Sequence, residues 1–136
     1  MFLKSKIKII PRRLISDDRG WFLKVIDGKE ENLPMQTGEI YLTNAKEGQA
    51  KGGHYHSKAS EWFTLVSGSC DLLLVDVETN EKMIINLCSS EPKTVYVPKK
   101  VAHIFINTSE VDFLLLAYTD FLYNPGDTIP YDFSNI

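Results

Sequence analysis

The sequence predicts an all-β domain of short strands closed into a sandwich or barrel. Three observations lead there. Short apolar or alternating runs rich in β-branched and aromatic residues recur along the chain. Turn-forming residues fall between them, at Asp27-Gly28, Gly52-Gly53, Ser67-Gly68, Glu78-Thr79-Asn80-Glu81 and Pro98-Lys99-Lys100. No window of about a dozen residues sustains the 3.6-residue apolar stripe of a surface helix.

Taken in order, Trp21–Asp27 opens the series and stops at the Asp27-Gly28 turn, and Ile40–Thr43 follows as an aromatic and β-branched run. Glu61–Val66 ends at Ser67-Gly68, and Cys70–Val77 starts directly after it. The polar tetrad Glu78–Glu81 joins Cys70–Val77 to Lys82–Leu87. Thr94–Val97 stops at Pro98, His103–Asn107 follows, and Asp112–Phe121 is the last long apolar run. Strands this short and this numerous favour a double-stranded β-helix. One domain spans 1–136: N-terminal strands over 1–39, a barrel core over 40–121 and a tail over 122–136.

Composition narrows the function classes. The chain has 136 residues, enough for one real core, and 43% of them are hydrophobic. No run approaches the ~20 apolar residues that span a bilayer. The opening, Met1 to Pro11, has too short an apolar stretch and no small-residue cleavage pattern for a secretory signal. Two cysteines, Cys70 and Cys88, imply no disulfide framework and point to a reducing cytoplasm. A net charge of −3 argues against general nucleic-acid binding. An anionic ligand needs local cations, and Arg12, Arg13, Arg19, Lys51, Lys99 and Lys100 are available.

All three histidines fall on one template. His54 and His56 are separated by one residue, Glu61 follows five residues later, and Gly68 closes the run. Pro98, His103 and Asn107 then read P-x4-H-x3-N. Alternate residues of a strand share a face, so His54 and His56 can aim at one point. His103 on a second strand supplies a third nitrogen and Glu61 a carboxylate oxygen. Such a set suits a divalent metal, with zinc the first expectation. The same imidazoles, with an unperturbed pKa of about 6.5, also suit proton transfer without metal.

These two motifs resemble those of the cupin superfamily, jelly-roll barrels with halves G-x5-H-x-H-x3,4-E-x6-G and G-x5-P-x-G-x2-H-x3-N. Lys100 stands where the second motif has its turn glycine. Narrower likenesses point to cupins that act on nucleotide-activated sugars. Asp17-Asp18-Arg19-Gly20-Trp21-Phe22 resembles the D-x-R-G-F-F segment of dTDP-4-dehydrorhamnose 3,5-epimerases. Lys51-Gly52-Gly53-His54-Tyr55-His56 is similar to their R-G-x-H-Y-Q and to the R-G-x-H-A-H of dTDP-4-keto-6-deoxyglucose 3,4-ketoisomerases. Tyr123, Asp127 and Ile129 fit the ketoisomerase ending Y-x3-D-x-I. The cupin half of capsular polysaccharide synthesis proteins shares H-Y-H and a glutamate at the Glu61 spacing.

The resemblance implies an isomerase of a nucleotide-linked 4-keto-6-deoxy sugar, most closely a 3,4-ketoisomerase, serving deoxysugar and surface-polysaccharide synthesis. A 3- or 3,5-epimerase is the near alternative. His54 would be the base and His56 its partner, with Tyr123 relaying a proton or bonding a sugar hydroxyl. Arg19 and Lys51 would hold the diphosphate of a dTDP-sugar, and Tyr41 and His103 would contact substrate. The catalytic tyrosine of the epimerases aligns with Leu116, and the ketoisomerases carry glutamine at Glu61. The metal set His54, His56, Glu61 and His103 keeps two further classes open, a metal-dependent cupin such as a dioxygenase and a non-catalytic sugar-binding cupin. A homodimer is implied, formed by N-terminal strand exchange through Phe2–Ile10. Neither nucleic acid nor membrane is an expected partner.

Overall fold

The structure, a computed structural model, describes residues 2–29, 33 and 37–135. Two five-stranded antiparallel sheets face one another, as the double-stranded β-helix requires. The strands are β1 (Lys8–Pro11), β2 (Leu14–Asp17), β3 (Gly20–Leu23), β4 (Ile40–Ala45), β5 (Ala50–His56) and β6 (Glu61–Ser67). They continue with β7 (Ser69–Asp76), β8 (Lys82–Cys88), β9 (Lys93–Val97), β10 (Val101–Asn107), β11 (Phe113–Thr119) and β12 (Thr128–Pro130). One sheet runs β1-β9-β6-β11-β4, the other β12-β5-β10-β7-β8, and β2 pairs only with β3.

Inward side chains from both sheets build one core. Phe63, Leu65, Val95, Phe113 and Leu115 come from the first sheet, and Leu72, Leu74, Ile85 and Phe105 from the second. Alternation explains the choice: on β10, Val101, His103 and Phe105 point inward between partners on β7. Toward the β5 end of the sheets the filling changes from aliphatic to imidazole and carboxylate, and there the interior opens into a cavity.

The N-terminal segment differs from the expected strands. Phe2–Lys6 forms a short helix, α1, whose Leu3 is fully buried, and Ile7 follows it into the core. β1 then pairs with β9 of the same chain, Ile9 opposite Val95. The expected strand Trp21–Asp27 reduces to Gly20–Leu23, since beyond Leu23 the backbone pairs with no strand among the described residues and crosses the outer face of the first sheet. There the Val25 carbonyl accepts from Thr94 Oγ1. Among the described residues no helix is long and apolar enough to cross a membrane.

Two backbone details position the histidines. At Gly52-Gly53 β5 carries a bulge: His54 faces His103, while the next paired residue, Ile104, faces Gly52. Both glycines have positive φ, and a Cβ on Gly52 would meet the His103 carbonyl oxygen at 2.7 Å. Lys100, at the turn between β9 and β10, takes φ 65°. The position demands the left-handed conformation whichever residue fills it, and its N–H donates to the His56 carbonyl at 2.6 Å.

Candidate active site

β5, β6 and β10 bring the four motif residues together. His54 and His56 project from β5, Glu61 opens β6, and His103 lies on β10 opposite His54. One ligand atom from each lies within 4.8 Å of the other three. The His54 ring sits 5.0 Å from those of both His56 and His103, and Phe63 closes the far side at 5.2 Å from His103.

Hydrogen bonds fix which nitrogen of each ring faces inward. His56 Nδ1 is 3.0 Å from the Asp127 carbonyl oxygen, and His103 Nδ1 is 3.1 Å from that of Val101. A carbonyl only accepts, so both rings carry hydrogen on Nδ1 and turn Nε2 inward. Glu61 Oε2 accepts from the Tyr41 hydroxyl at 2.9 Å. Glu61 Oε1 is buried and, among the described residues, faces only the imidazoles, 2.7 Å from His56 Nε2 and 3.5 Å from His103 Nε2. In neutral rings these would be bare lone pairs facing a carboxylate. A proton or a cation between them relieves the repulsion.

The electrostatics divide the imidazoles by role. Burial first, then the neighbouring His103 and His56, push His54 down to about 4, so it is neutral near pH 7. Burial also disfavours the charged form of His56, but the bond to Glu61 and its charge outweigh this and raise its pKa. Glu61 is held below the usual carboxylate range: burial opposes that, and the contact to His56 with its charge overcomes it. Burial keeps His103 neutral. Burial and the Glu61 charge push the Tyr41 phenol upward, which keeps it a donor to that carboxylate.

The cavity beside this cluster holds about 450 Å³. His54, His56, Glu61 and Tyr41 line it, with Ile40, Phe121, Leu122 and Tyr123 at its rim. Tyr123 is 68% exposed and anchored through its N–H to Glu39. His103, only 3% exposed, stands behind the other ligands and does not line the cavity. Neither does Leu116, on the outer face of β11 opposite Leu42, nor Tyr118, whose hydroxyl meets Thr37.

Among the described lining residues there is no lysine or arginine. Lys51 is exposed on β5, and Arg19 sits at the tip of the β2–β3 hairpin, bonded to Asp17 at 2.6 Å. The fold does not bring either to the cavity of its own chain. Asn107 of the second motif is structural: its side chain donates to the Ala45 and Val111 carbonyls and accepts from Ser109. Sequence reading noticed Asp127 only as part of a tail likeness. Its carboxylate is bound by the turn that joins His56 to Glu61, which no spacing rule reveals.

Comparison with known proteins agrees with this architecture. The spore coat polysaccharide biosynthesis protein SpsL of Bacillus subtilis is 27% identical, covering 86% of this chain and 83% of its own. A dTDP sugar isomerase from Desulfovibrio desulfuricans superposes with a TM-score of 0.86 at 19% identity, covering 94% of this chain and 85% of that one. The dTDP-6-deoxy-D-glucose-3,5-epimerase RmlC of Legionella pneumophila, solved with dTDP-4-keto-L-rhamnose, gives 0.83 at 18% identity, covering 95% and 74%. The fold is that of the cupins, as the paired histidine motifs imply. Residues 15–130 match one family across both sheets and the whole histidine cluster, and the chain belongs to it: the polysaccharide biosynthesis C-terminal domain family.

Proposed function

We propose that the chain is a cytoplasmic isomerase of a nucleotide-activated 4-keto-6-deoxy sugar, most closely a dTDP-4-keto-6-deoxyglucose 3,4-ketoisomerase. One observation carries the reading: a neutral imidazole, His54, faces a sugar-sized cavity beside a second imidazole, His56, whose hold on a proton Glu61 strengthens from 2.7 Å. This pairs a proton acceptor with a proton donor about one ring apart. The likeness to dTDP-sugar isomerases and epimerases supplies the substrate class.

The chemistry follows from the carbonyl at C4 of the sugar. His54 removes the proton on C3, and the electron pair of that bond moves onto the C4 oxygen, which takes a proton from His56. The enediol then loses its O3 proton while C4 gains one, and the carbonyl stands at C3. Returning the proton to the opposite face of C3 instead would be epimerisation, the near alternative. Tyr123, which lines the cavity, would meet a sugar hydroxyl. Only the sugar enters, because the lining carries Glu39, Glu61 and Asp127 and repels a diphosphate.

The four-residue cluster also fits a divalent cation. The buried Glu61 Oε1, which faces only imidazoles, and two inward Nε2 atoms are a donor set that suits zinc. His54, His56, Glu61 and His103 would hold it, and when bound it would act as a Lewis acid toward the sugar carbonyl. We further propose a homodimer in which the exposed hairpin tip, with Arg19, brings to a neighbouring cavity the cation that its own lining lacks.

Incubation with dTDP-4-keto-6-deoxyglucose in deuterated water, followed by proton NMR with and without chelator, tests the reaction. Deuterium at C4 with the carbonyl moved to C3 is expected, and inversion at C3 or C5 would make it an epimerase. His54→Asn should lower turnover by about 100-fold or more, the usual worth of a general base. Retention of most activity in that variant would overturn the role given to His54.

A further inference from the structure

The C-terminal segment touches the cluster through one residue used twice. Asp127 closes the single 3₁₀ turn Pro125–Asp127 and is 7% exposed. Its carboxylate accepts from the N–H groups of Ser57, Lys58 and Ala59 at 2.9, 3.0 and 3.2 Å, and from the Ser57 hydroxyl. Those residues are the turn that carries the chain from His56 to Glu61. Its carbonyl accepts from His56 Nδ1. Immediately afterwards β12 lies against β5, with Thr128 opposite His56 and Pro130 opposite His54.

We infer that Asp127 is a positioning residue for the His56–Glu61 pair: its carboxylate sets the turn between them, and its carbonyl fixes the His56 tautomer. This rests on the proposed site but not on the sugar it takes. The two contacts are mechanically linked, because four donors on the carboxylate hold the peptide whose carbonyl meets the imidazole. A free neutral histidine has no reason to carry its hydrogen on Nδ1 alone; here the carbonyl imposes it. That choice aims Nε2 at the point where Glu61 Oε1 and His103 Nε2 converge. The carboxylate stays ionised. Burial alone would raise its pKa, but the Ser57 hydroxyl and the N–H donors of the turn overcome burial and lower it. Its valences are filled by the turn, so it is not a proton acceptor for substrate.

The test uses the full chain and needs no sugar. In zinc-free wild-type protein, nitrogen-15 NMR should show hydrogen on His56 Nδ1 near neutral pH. Asp127→Ala should give a mixed or Nε2–H population at His56 while His103, held by Val101, keeps its tautomer. Cobalt(II) titration followed by visible absorption should show affinity reduced about 10–100-fold, the usual effect of removing a partner behind a metal ligand. Asp127→Asn keeps the shape and one acceptor oxygen but turns an amide against an N–H donor, so it should fall between the two. An Ala variant that folds with the His56 tautomer unchanged overturns the proposal. Should Ala not fold, an Asn variant with unchanged tautomer does the same. If wild-type protein binds no cobalt, the tautomer measurement alone decides, and the metal reading fails separately.

Discussion

At the scale of single residues, the site is a set of imidazoles that differ because their neighbours differ. Among the described residues His54 has no anion at hydrogen-bond distance and is neutralised by burial, whereas His56 has Glu61 at 2.7 Å, which raises its pKa. The difference has a consequence for stability. Burial lowers the pKa of both His54 and His103. Below their ordinary value near 6.5, and for His54 down to about 4, the unfolded chain binds protons that the folded imidazoles refuse, so stability falls as pH drops through that window. His56 acts oppositely: its raised pKa adds stability that is present below the ordinary value and is lost as pH rises through the folded one. Thermal melts in chelator should therefore show Tm decreasing from pH 7 to pH 5. His54→Asn should flatten that slope by removing one refusing group. An equal slope in the variant would show that His54 is charged or solvated in the folded protein.

At the scale of elements, the bulge in β5 controls the placement of the histidines. Gly52 and Gly53 both need positive φ, and the His103 carbonyl leaves no room for a side chain on Gly52. Gly52→Ala combines left-handed strain with that clash and should destabilise by about 2–3 kcal/mol, read from denaturant midpoints at constant slope. Because the clash is with His103's own peptide, the variant should also weaken cobalt binding. A stability change under 0.5 kcal/mol would mean that the bulge relaxes freely. The sequence showed a turn-like Gly-Gly here and a strand implied by His54 and His56, but not that the two merge into one bulged strand. Short apolar strands with turn residues between them were legible because period-2 burial writes itself into the chain. The helix Phe2–Lys6 and strands β1, β2 and β12 were not, since each is five residues or fewer and is held by tertiary partners. The turn at Pro98-Lys99-Lys100 was legible but its left-handed conformation at Lys100 was not, because a residue other than glycine occupies a position whose geometry persists.

At the scale of the whole molecule, the barrel buries its core, yet the β2–β3 hairpin stands apart from both sheets. An isolated two-stranded ribbon is marginal in water, and this one exposes Ile15, Trp21 and Phe22, the aromatics by 61% and 58%. Exposed too are Ile40 and Leu42 on β4, an edge strand whose outer hydrogen-bonding side meets no neighbour among the described strands. Ile40 also borders the cavity, so anything covering this edge stands at the cavity mouth. A second copy that lays its hairpin across the edge would bury apolar surface on both sides. It would also carry Arg19 toward a cavity whose described lining has no cation. Sedimentation velocity should find wild-type protein as a dimer at micromolar concentration. Trp21→Ser with Phe22→Ser should shift it to monomer without lowering the barrel's Tm by more than about 4–8 °C, the size of a 1 kcal/mol effect in a small domain. Arg19→Ala, which leaves the aromatic contact intact, should remain dimeric yet bind dTDP more weakly, with the loss diminishing at high salt. A monomeric wild type, or an Arg19→Ala protein with unchanged dTDP affinity, would mean that the diphosphate is held by a cation of its own chain.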